Sequence, residues 1–163
     1  MSLPRRVGIL GGTFDPVHAG HLAAAAAARE TLSLDHVWFM PDQNPGHRTS
    51  APVASGYHRF AMTALAIADH PGYMASDLEL ASEAPSFTAT TLRRLHAQGY
   101  AAIELFFIVG SDAFAEIAAW RDYPDVPTVY LTLQAKSLDN VMANSEVESP
   151  WNAGFTYRKH GSI

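Results

Sequence analysis

The sequence predicts an α/β protein built on a doubly wound parallel sheet. Short apolar runs that indicate buried strands alternate along the chain with segments that favour helices. The 163 residues are enough for one domain with a hydrophobic core of its own. Because strands that alternate with helices are joined by right-handed crossovers, we expect a parallel sheet with helices on both faces.

The first half of the chain contains two predicted strands and two predicted helices. Val7–Leu10 is a short apolar run that ends at glycines, and His36–Met40 is a second apolar run. Between them, the segment Gly20–Thr31 contains six consecutive alanines, the residue with the highest helix propensity. The helix predicted over Ser55–His70 has an apolar face formed by Phe60, Ala64, Ile67 and Ala68.

The second half continues this alternation. We predict a strand over Tyr73–Leu80 and a helix over Thr88–Gln98, capped by its first residue and ended by Gly99. The continuous apolar run Leu105–Val109 is typical of a central parallel strand that is buried on both faces. Residues 128–133 form a candidate fifth strand.

Composition changes abruptly near residue 133. Residues 1–133 contain one asparagine and no lysine, whereas residues 134–163 contain three asparagines and two lysines and have no sustained apolar period. We therefore divide the chain into an α/β domain, residues 1–133, and a divergent or truncated C-terminal tail, residues 134–163. Whether the tail packs on the same domain is left open.

Charge and composition argue against several classes of function. The net charge of -5 disfavours a nucleic-acid polymer as partner, since such proteins usually carry a basic face. The absence of cysteine excludes disulfides and thiol chemistry. No segment approaches the roughly 20 apolar residues that cross a bilayer, and the N-terminus does not have the pattern of a signal peptide. We expect a cytoplasmic protein without a membrane partner.

The junction between the first strand and the first helix has the pattern of a nucleotide-phosphate site. It reads Gly-Gly-Thr-Phe-Asp-Pro-Val-His-Ala-Gly-His from Gly11 to His21. Glycines allow the backbone to approach an anion, and the first amides of a helix point towards it. His18 and His21 lie three residues apart, so both can reach one phosphate chain, and Gly20 leaves room between their imidazoles. Each feature alone is more often structural, but their combination favours a phosphate site.

Turn-rich segments also follow the other predicted strands. In doubly wound sheets, ligands bind beyond the carboxyl ends of the strands, so these segments should meet in one crevice. They are Gly11–His21, Pro41–Arg48, Ser82–Thr88 and Gly110–Asp112. The sequence therefore predicts one ligand site built from four loops.

The segment Gly11–Leu22 resembles the H-x-G-H signature of the nucleotidylyltransferase superfamily, in the Gly-Gly-Thr-Phe-Asp-Pro form of bacterial nicotinate-nucleotide adenylyltransferases. Further segments are similar to that family: Phe39–Pro41 with Asn44–Arg48, Pro85–Thr88 with Thr91–Leu92, and Phe106–Asp112 with Trp120. The resemblance extends from residue 5 to about residue 123. It implies a Rossmann-like nucleotidylyltransferase fold.

The resemblance also implies an enzyme that joins ATP and nicotinate mononucleotide to give deamido-NAD and pyrophosphate in NAD biosynthesis. His18 and His21 would be catalytic, because they would bind the triphosphate and stabilise the transition state. The ATP site would comprise these two histidines together with Gly11, Gly12, Thr13, Phe14, Gly20, Gly110 and Asp112. Asp112 can also serve as a helix N-cap. Mg²⁺ would arrive with ATP, held chiefly by phosphates and water, and no protein metal site is expected.

The acceptor site implied by the resemblance comprises Arg48, Ser86, Thr88 and Trp120. In the family an aromatic residue stacks on the pyridine ring, and backbone amides near the Thr88 position receive the nicotinate carboxylate. Arg48 stands where the family usually has lysine, so a planar fork replaces a point charge. For Trp120 the alternative is a core aromatic residue at a helix end. Arg59, Arg93, Arg94 and Arg121 can add positive potential to the site, although isolated arginines on helices are usually part of a solvated surface.

Two other functions stay open at this point. The family carries a Ser-Ser/Thr-x-x-Arg segment that binds ATP phosphates, and residues 134–163 contain no such segment. One alternative is therefore a catalytically impaired or truncated nucleotide-binding protein of the same fold. The other is pantetheine-phosphate adenylyltransferase, which shares the H-x-G-H signature, although Pro85–Thr88 and Gly110–Trp120 argue against it. A homo-oligomer is compatible with the sequence, which identifies no interface.

Overall fold

A computed structural model describes residues 6–43, 51–81, 86–110, 129–133 and 155–159, the last two ranges by their backbone. The strands are β1 (Val7–Gly12), β2 (His36–Pro41), β3 (Tyr73–Ala75), β4 (Leu105–Gly110), β5 (Val129–Leu133) and β6 (Phe155–Lys159). The helices are α1 (Ala19–Leu32), α2 (Gly56–Ala66) and α3 (Thr88–Ala97), with a 3-10 turn at Ala102–Glu104.

The strands form one sheet in the order β3-β2-β1-β4-β5-β6. β1 to β5 are parallel to one another, and β6 runs antiparallel to β5 at the edge. The chain moves outward from β1 to β3 and then returns to place β4 on the other side of β1. The carboxyl ends of β1 and β4 are therefore neighbours at the point where the strand order reverses, which is where such sheets bind ligands.

The hydrophobic core has one layer on each face of the sheet. Successive residues of β1, β2 and β4 point to opposite faces, as expected for strands buried on both sides. Beneath α1 and the end of α2, the core includes Leu10, Ala25, Ala28, Leu32, Val37, Phe39, Ile67, Phe106 and Ile108. Beneath α3, it includes Val7, Ile9, Met40, Ala89, Leu92, Leu95, Leu105 and Phe107. Helices on both faces confirm the doubly wound arrangement.

The face that α2 buries overlaps only in part with the one that the sequence predicts. Its buried residues are Arg59 and Thr63, and Ile67 follows at the C-cap. Of the predicted face, Ile67 is buried and Phe60 and Ala64 are partly buried, whereas Ala68 is exposed, so the prediction is wrong for Ala68. Arg59 is not solvated, because a buried carboxylate neutralises the arginine and the helix can turn it inward.

Smaller corrections concern the ends of β3 and α3. β3 ends at Ala75 because the side chain of Ser76 accepts a hydrogen bond from the amide of Leu78, and the chain turns there instead of continuing as a strand. The N-cap of α3 is Phe87, not the predicted Thr88. Gly99 follows the helix with a φ of +100°, which confirms it as the terminating glycine.

The tail contributes one strand to the described structure. Phe155–Lys159 pairs with β5 along its whole length, from Val129 opposite Lys159 to Leu133 opposite Phe155. The sequence did not indicate this strand, since five residues give too short an apolar pattern. The domain boundary at residue 133 remains a prediction. The longest described helix has 14 residues, and no helix in the described ranges is long and apolar enough to cross a membrane.

Candidate active site

Phe14 folds the loop after β1 back against the sheet. Its ring is buried and packs against Phe39, with 6.0 Å between the ring centroids. The backbone of Phe14 has a φ of +49°, in the left-handed region that bulky residues rarely adopt. A Cβ on Gly12 would lie 3.2 Å from the Cε1 atom of this ring, so glycine at that position leaves the space that the ring needs. The packing of Phe14 therefore holds the loop between β1 and α1 against the sheet.

His18 and His21 cap the N-terminus of α1 reciprocally. Nδ1 of His18 accepts a hydrogen bond from the amide of Gly20 at 3.2 Å, and Nδ1 of His21 accepts one from the amide of His18 at 3.2 Å. The ring centroids are 3.8 Å apart. Since Nδ1 is an acceptor in both rings, each neutral imidazole carries its proton on Nε2. The cap thus fixes two Nε2–H donors side by side at the helix start.

The two histidines differ in their surroundings. His18 is exposed, whereas His21 is half-buried and meets the ring of Phe14 edge to face, with 4.9 Å between centroids. Burial, reinforced by the charge of His18, lowers the pKa of His21 to about 4. His21 is therefore neutral at physiological pH. It can donate a hydrogen bond to a phosphate oxygen without bringing a positive charge of its own.

A buried ion pair joins this loop to two neighbouring segments. The guanidinium of Arg59 lies 3.3 Å from the carboxylate of Asp42 and also donates to the carbonyl groups of Asp42, Thr13 and Ala54. The other carboxylate oxygen of Asp42 accepts a hydrogen bond from the hydroxyl of Thr13 at 3.1 Å. The hydroxyl and the backbone carbonyl of Thr13 are thus both bound within the protein.

Asp15 links the same loop to the segment before α2. Its carboxylate accepts hydrogen bonds from the amides of Val53 at 2.6 Å and Ala54 at 3.3 Å. These two residues lead into α2, whose N-cap is Ser55. The loop after β1 is therefore held at two points: Thr13 binds Arg59 of α2 and Asp42 after β2, and Asp15 binds the segment before α2.

Ser86 and Thr88 belong to the turn that opens α3. The hydroxyl of Ser86 accepts a hydrogen bond from the amide of Gln43 at 3.2 Å and is hydrogen-bonded to the carboxyl group of Glu79. Burial raises the pKa of this carboxyl group, and the hydrogen bonds from Thr91 and Ser86 oppose the shift. Because the Ser86 side chain is occupied within the protein, a ligand would meet this turn chiefly through backbone groups.

The structure brings part of the predicted site together. The residues of the β1–α1 junction surround the histidine pair, and a Cβ on Gly20 would lie 3.1 Å from the His18 ring, so glycine leaves space for that ring. Room for a phosphate between the two imidazoles stays a prediction. Gly110 ends β4, the neighbour of β1. Ser86 is joined to the loop after β2 through Gln43. The remaining predicted site residues, Arg48, Asp112 and Trp120, lie outside the described residues.

Sequence reasoning missed four acidic or basic residues around the crevice. They are Asp15, Asp42, Arg59 and Glu79. A signal for one of them was available: Arg59, Thr63 and Ile67 recur every four residues, which places all three on one helix face. No cluster of three metal-ligating side chains occurs within the residues that the structure describes.

Comparison with known proteins agrees with this arrangement. A family model for cytidylyltransferase-like proteins matches residues 9–146. The chain belongs to the cytidylyltransferase-like family. Among similar relatives, a nicotinate-nucleotide adenylyltransferase of Desulfitobacterium hafniense is 45% identical over 123 residues, which are 76% of this chain and 59% of the relative. One from Thermus thermophilus is 44% identical over 133 residues, which are 80% and 68% of the two chains.

These relatives confirm the resemblance that the motifs indicate. The chain spans 59% of the length of the Desulfitobacterium relatives that it matches. A Vibrio parahaemolyticus structure described as a nicotinate-nucleotide adenylyltransferase superposes with a TM-score of 0.64 at 19% identity, over 85% of each chain. The Plasmodium falciparum nicotinic acid mononucleotide adenylyltransferase complexed with NaAD gives 0.59 at 21% identity, over 72% of this chain and 58% of that one. These structures confirm the Rossmann-like nucleotidylyltransferase fold.

Proposed function

We propose that this chain transfers the adenylyl group of ATP to nicotinate mononucleotide, giving deamido-NAD and pyrophosphate in NAD biosynthesis. The observation that carries the proposal is the reciprocal cap of His18 and His21, which presents two Nε2–H donors at the carboxyl edge of β1. The relatives named nicotinate-nucleotide adenylyltransferase support this substrate pair. We expect the reaction to take place in the cytoplasm.

The proposed chemistry is a direct displacement at phosphorus. A phosphate oxygen of the acceptor attacks the α-phosphorus of ATP, a new P–O bond forms, and the bond to the β-phosphate breaks to release pyrophosphate. Negative charge builds on the non-bridging α-phosphate oxygens as the displacement proceeds. Donors that are already fixed by the protein stabilise that charge without reorganisation. The chain needs to position the two substrates and does not need a covalent intermediate.

The neutral state of His21 suits this role. A permanently charged group would bind the triphosphate strongly in the ground state, and interactions made equally in both states do not raise kcat. The hydrogen bond from a fixed Nε2–H donor becomes stronger as negative charge develops on the phosphate oxygen, so it stabilises the transition state more than the ground state. Mg²⁺ belongs to the ATP substrate, held chiefly by phosphates and water. The helix dipole of α1 adds a favourable field for the phosphates.

The start of α3 is the proposed contact for the acceptor carboxylate. α3 begins at Thr88, so the first amides of the helix and the positive end of its dipole lie at this turn. Arg48 is proposed to bind the acceptor as well, and Trp120 to stack on the pyridine ring. Ser86 acts in this proposal by fixing the turn, through its bonds to Gln43 and Glu79.

Pyrophosphate release from the 163-residue chain tests the proposal. Mg-ATP is supplied in parallel with nicotinate mononucleotide, nicotinamide mononucleotide or phosphopantetheine, and His21→Asn is the matched inactive control. We expect release with nicotinate mononucleotide that the variant loses. Release with phosphopantetheine alone would point to the other adenylyltransferase. No release with any acceptor, from folded protein that still binds ATP, would favour a nucleotide-binding protein without turnover.

A further inference from the structure

We infer that Arg59 is a positioning residue: together with Asp42 it holds the loop after β1 in the conformation that places Phe14 against His21. The catalytic consequence of this arrangement rests on the proposed function. The structural consequence does not, because it concerns the conformation of the free protein.

The first support is the number of segments that one buried side chain connects. Arg59 is 1% exposed, so its charge faces neither solvent nor a substrate. Its Nε donates to the carbonyl of Ala54 at 3.1 Å, its Nη2 to the carbonyl of Asp42 at 2.7 Å, and its Nη1 to the carbonyl of Thr13. Three segments that are distant in sequence thus share one guanidinium.

The second support is the way in which Thr13 is held. Arg59 binds its carbonyl group, and the carboxylate of Asp42 binds its hydroxyl group. Asp42 in turn is fixed by its ion pair with Arg59 and by a hydrogen bond from its amide to the carbonyl of Gly12 at 3.0 Å. The hydroxyl and carbonyl groups of Thr13 are therefore both bound within this cluster.

The third support is the residue that follows. Phe14 adopts the left-handed φ of +49°, a conformation that a phenylalanine keeps only when its surroundings impose it. The held carbonyl of Thr13 belongs to the peptide unit that begins this conformation. The ring of Phe14 lies 4.9 Å from the ring of His21, so it forms part of the surroundings that bury His21. Arg59 thus acts on His21 through Thr13 and Phe14 without touching it.

Arg59→Lys tests the inference, because lysine keeps the charge but lacks the planar fork that reaches several carbonyl groups. The readout is the pKa of His21 in the free, full-length chain, measured by NMR titration. Loosening of the Phe14 ring admits water, so the pKa of His21 should rise from about 4 towards its usual 6.5. Of the titratable groups in the described part of the chain, His18 is the one whose charge shifts the pKa of His21, and the substitution leaves His18 in place.

Arg29→Lys is the matched control. Arg29 also donates to backbone carbonyl groups, those of Leu34 and Pro71, but at the far end of α1. Its substitution should leave the His21 titration unchanged. Asp42→Asn adds a second test, since removing a negative charge would by itself lower a histidine pKa, whereas loosening of the loop raises it. A rise in this variant therefore reports the loop.

Turnover gives an independent readout that a purely structural role would not move. With both substrates saturating, kcat of folded Arg59→Lys should fall roughly ten- to a hundredfold, the usual effect of slightly misplaced catalytic groups, while Arg29→Lys stays near the wild type. Folded variants with an unchanged His21 pKa and an unchanged kcat would overturn the inference.

If Arg59→Lys does not fold, Thr13→Val, which removes one hydroxyl group, takes its place, and the His21 pKa and kcat of that variant test the inference. If the wild type releases no pyrophosphate, the proposed function fails, and the His21 titration still decides the inference.

Discussion

At the scale of single residues, His21 uses its two ring nitrogens for different tasks. Nδ1 caps the helix by accepting from the amide of His18, and Nε2 is the nitrogen proposed to donate to a phosphate oxygen. Asparagine places an acceptor near the Nδ1 position, whereas glutamine places an amide donor near the Nε2 position. The two substitutions therefore separate the structural task from the catalytic task.

We predict opposite effects for these two variants. His21→Asn should lower kcat by about 10²–10³-fold, the usual cost of one lost oxyanion donor, with little change in the free energy of unfolding. His21→Gln should retain more of kcat but lose about 1 kcal/mol of stability with the cap. Steady-state kinetics and urea unfolding measure the two quantities. Equal kcat in both variants would contradict a donor role for Nε2.

The lowered pKa of His21 predicts how stability depends on pH. In the unfolded chain the imidazole takes up a proton near its usual pKa of 6.5, whereas in the folded chain it does so only near about 4. The unfolded state therefore binds more protons in this range, and the stability from a neutral His21 is complete above the unfolded pKa and lost as the pH falls through the folded value. Urea unfolding between about pH 7 and 4 should show a steeper loss for the wild type than for His21→Asn. Parallel curves would refute the shift.

The histidine pair was predictable from sequence, and the charged cluster behind it was not. Two histidines three residues apart at a strand–helix junction lie on the same side of the helix start, and their spacing alone indicates this. The burial of Arg59 is not indicated in this way, because its partner Asp42 is 17 residues away, and the spacing of Arg59, Thr63 and Ile67 shows a shared helix face without showing that this face is buried. An arginine is buried when a partner is available in three dimensions, and sequence spacing does not contain that information.

At the scale of elements, strands with long apolar runs were predicted best. β1, β2 and β4 extend the predicted ranges by one or two residues at their carboxyl ends. β3 is much shorter than predicted, because polar residues after Ala75 form local hydrogen bonds that compete with the sheet. The local sequence pattern thus predicts which strands form, whereas hydrogen bonds to neighbouring groups decide where each strand ends.

The packing of β1 predicts a difference between two glycines on the same strand. A Cβ on Gly8 would lie 2.6 Å from Cδ1 of Leu34 and 3.1 Å from Cδ1 of Ile108, both buried in the core. A Cβ on Gly11 would meet its nearest atom, on Phe107, at an ordinary 3.5 Å. Gly8→Ala should therefore cost about 1–3 kcal/mol of stability by overpacking, whereas Gly11→Ala should change it little. Thermal unfolding compares the two, and an unaltered melting temperature for Gly8→Ala would contradict the packing.

At the scale of the whole molecule, the end of β2 connects the two halves of the site. Asp42 is linked to the proposed nucleotide side through Arg59 and Thr13, and the next residue, Gln43, is linked to the proposed acceptor side through Ser86. Both connections meet at the carboxyl edge of the sheet, where the chain order reverses. The doubly wound topology thus brings together loops that are far apart in sequence.

Ligand binding should therefore stabilise the fold as a unit, whether or not the chain turns over. A ligand present at about 100 times its Kd adds about 2.7 kcal/mol to the stability of the state that binds it. For a chain of this size we expect Mg-ATP at that excess to raise the Tm by roughly 5–10 °C. Nicotinate mononucleotide alone should give a shift of its own, because its proposed contacts lie at α3 and not at the histidine pair.

The variant that carries both His18→Asn and His21→Asn separates the two half-sites in this experiment. It should lose most of the shift with Mg-ATP and keep the shift with nicotinate mononucleotide, measured by differential scanning fluorimetry. Equal loss of both shifts would mean that the ligands do not use separate loops, and absence of both in the folded wild type would refute the proposed pair of substrates. A normal shift with Mg-ATP without pyrophosphate release would instead identify a nucleotide-binding protein, because binding requires the crevice alone whereas turnover also requires the aligned donors.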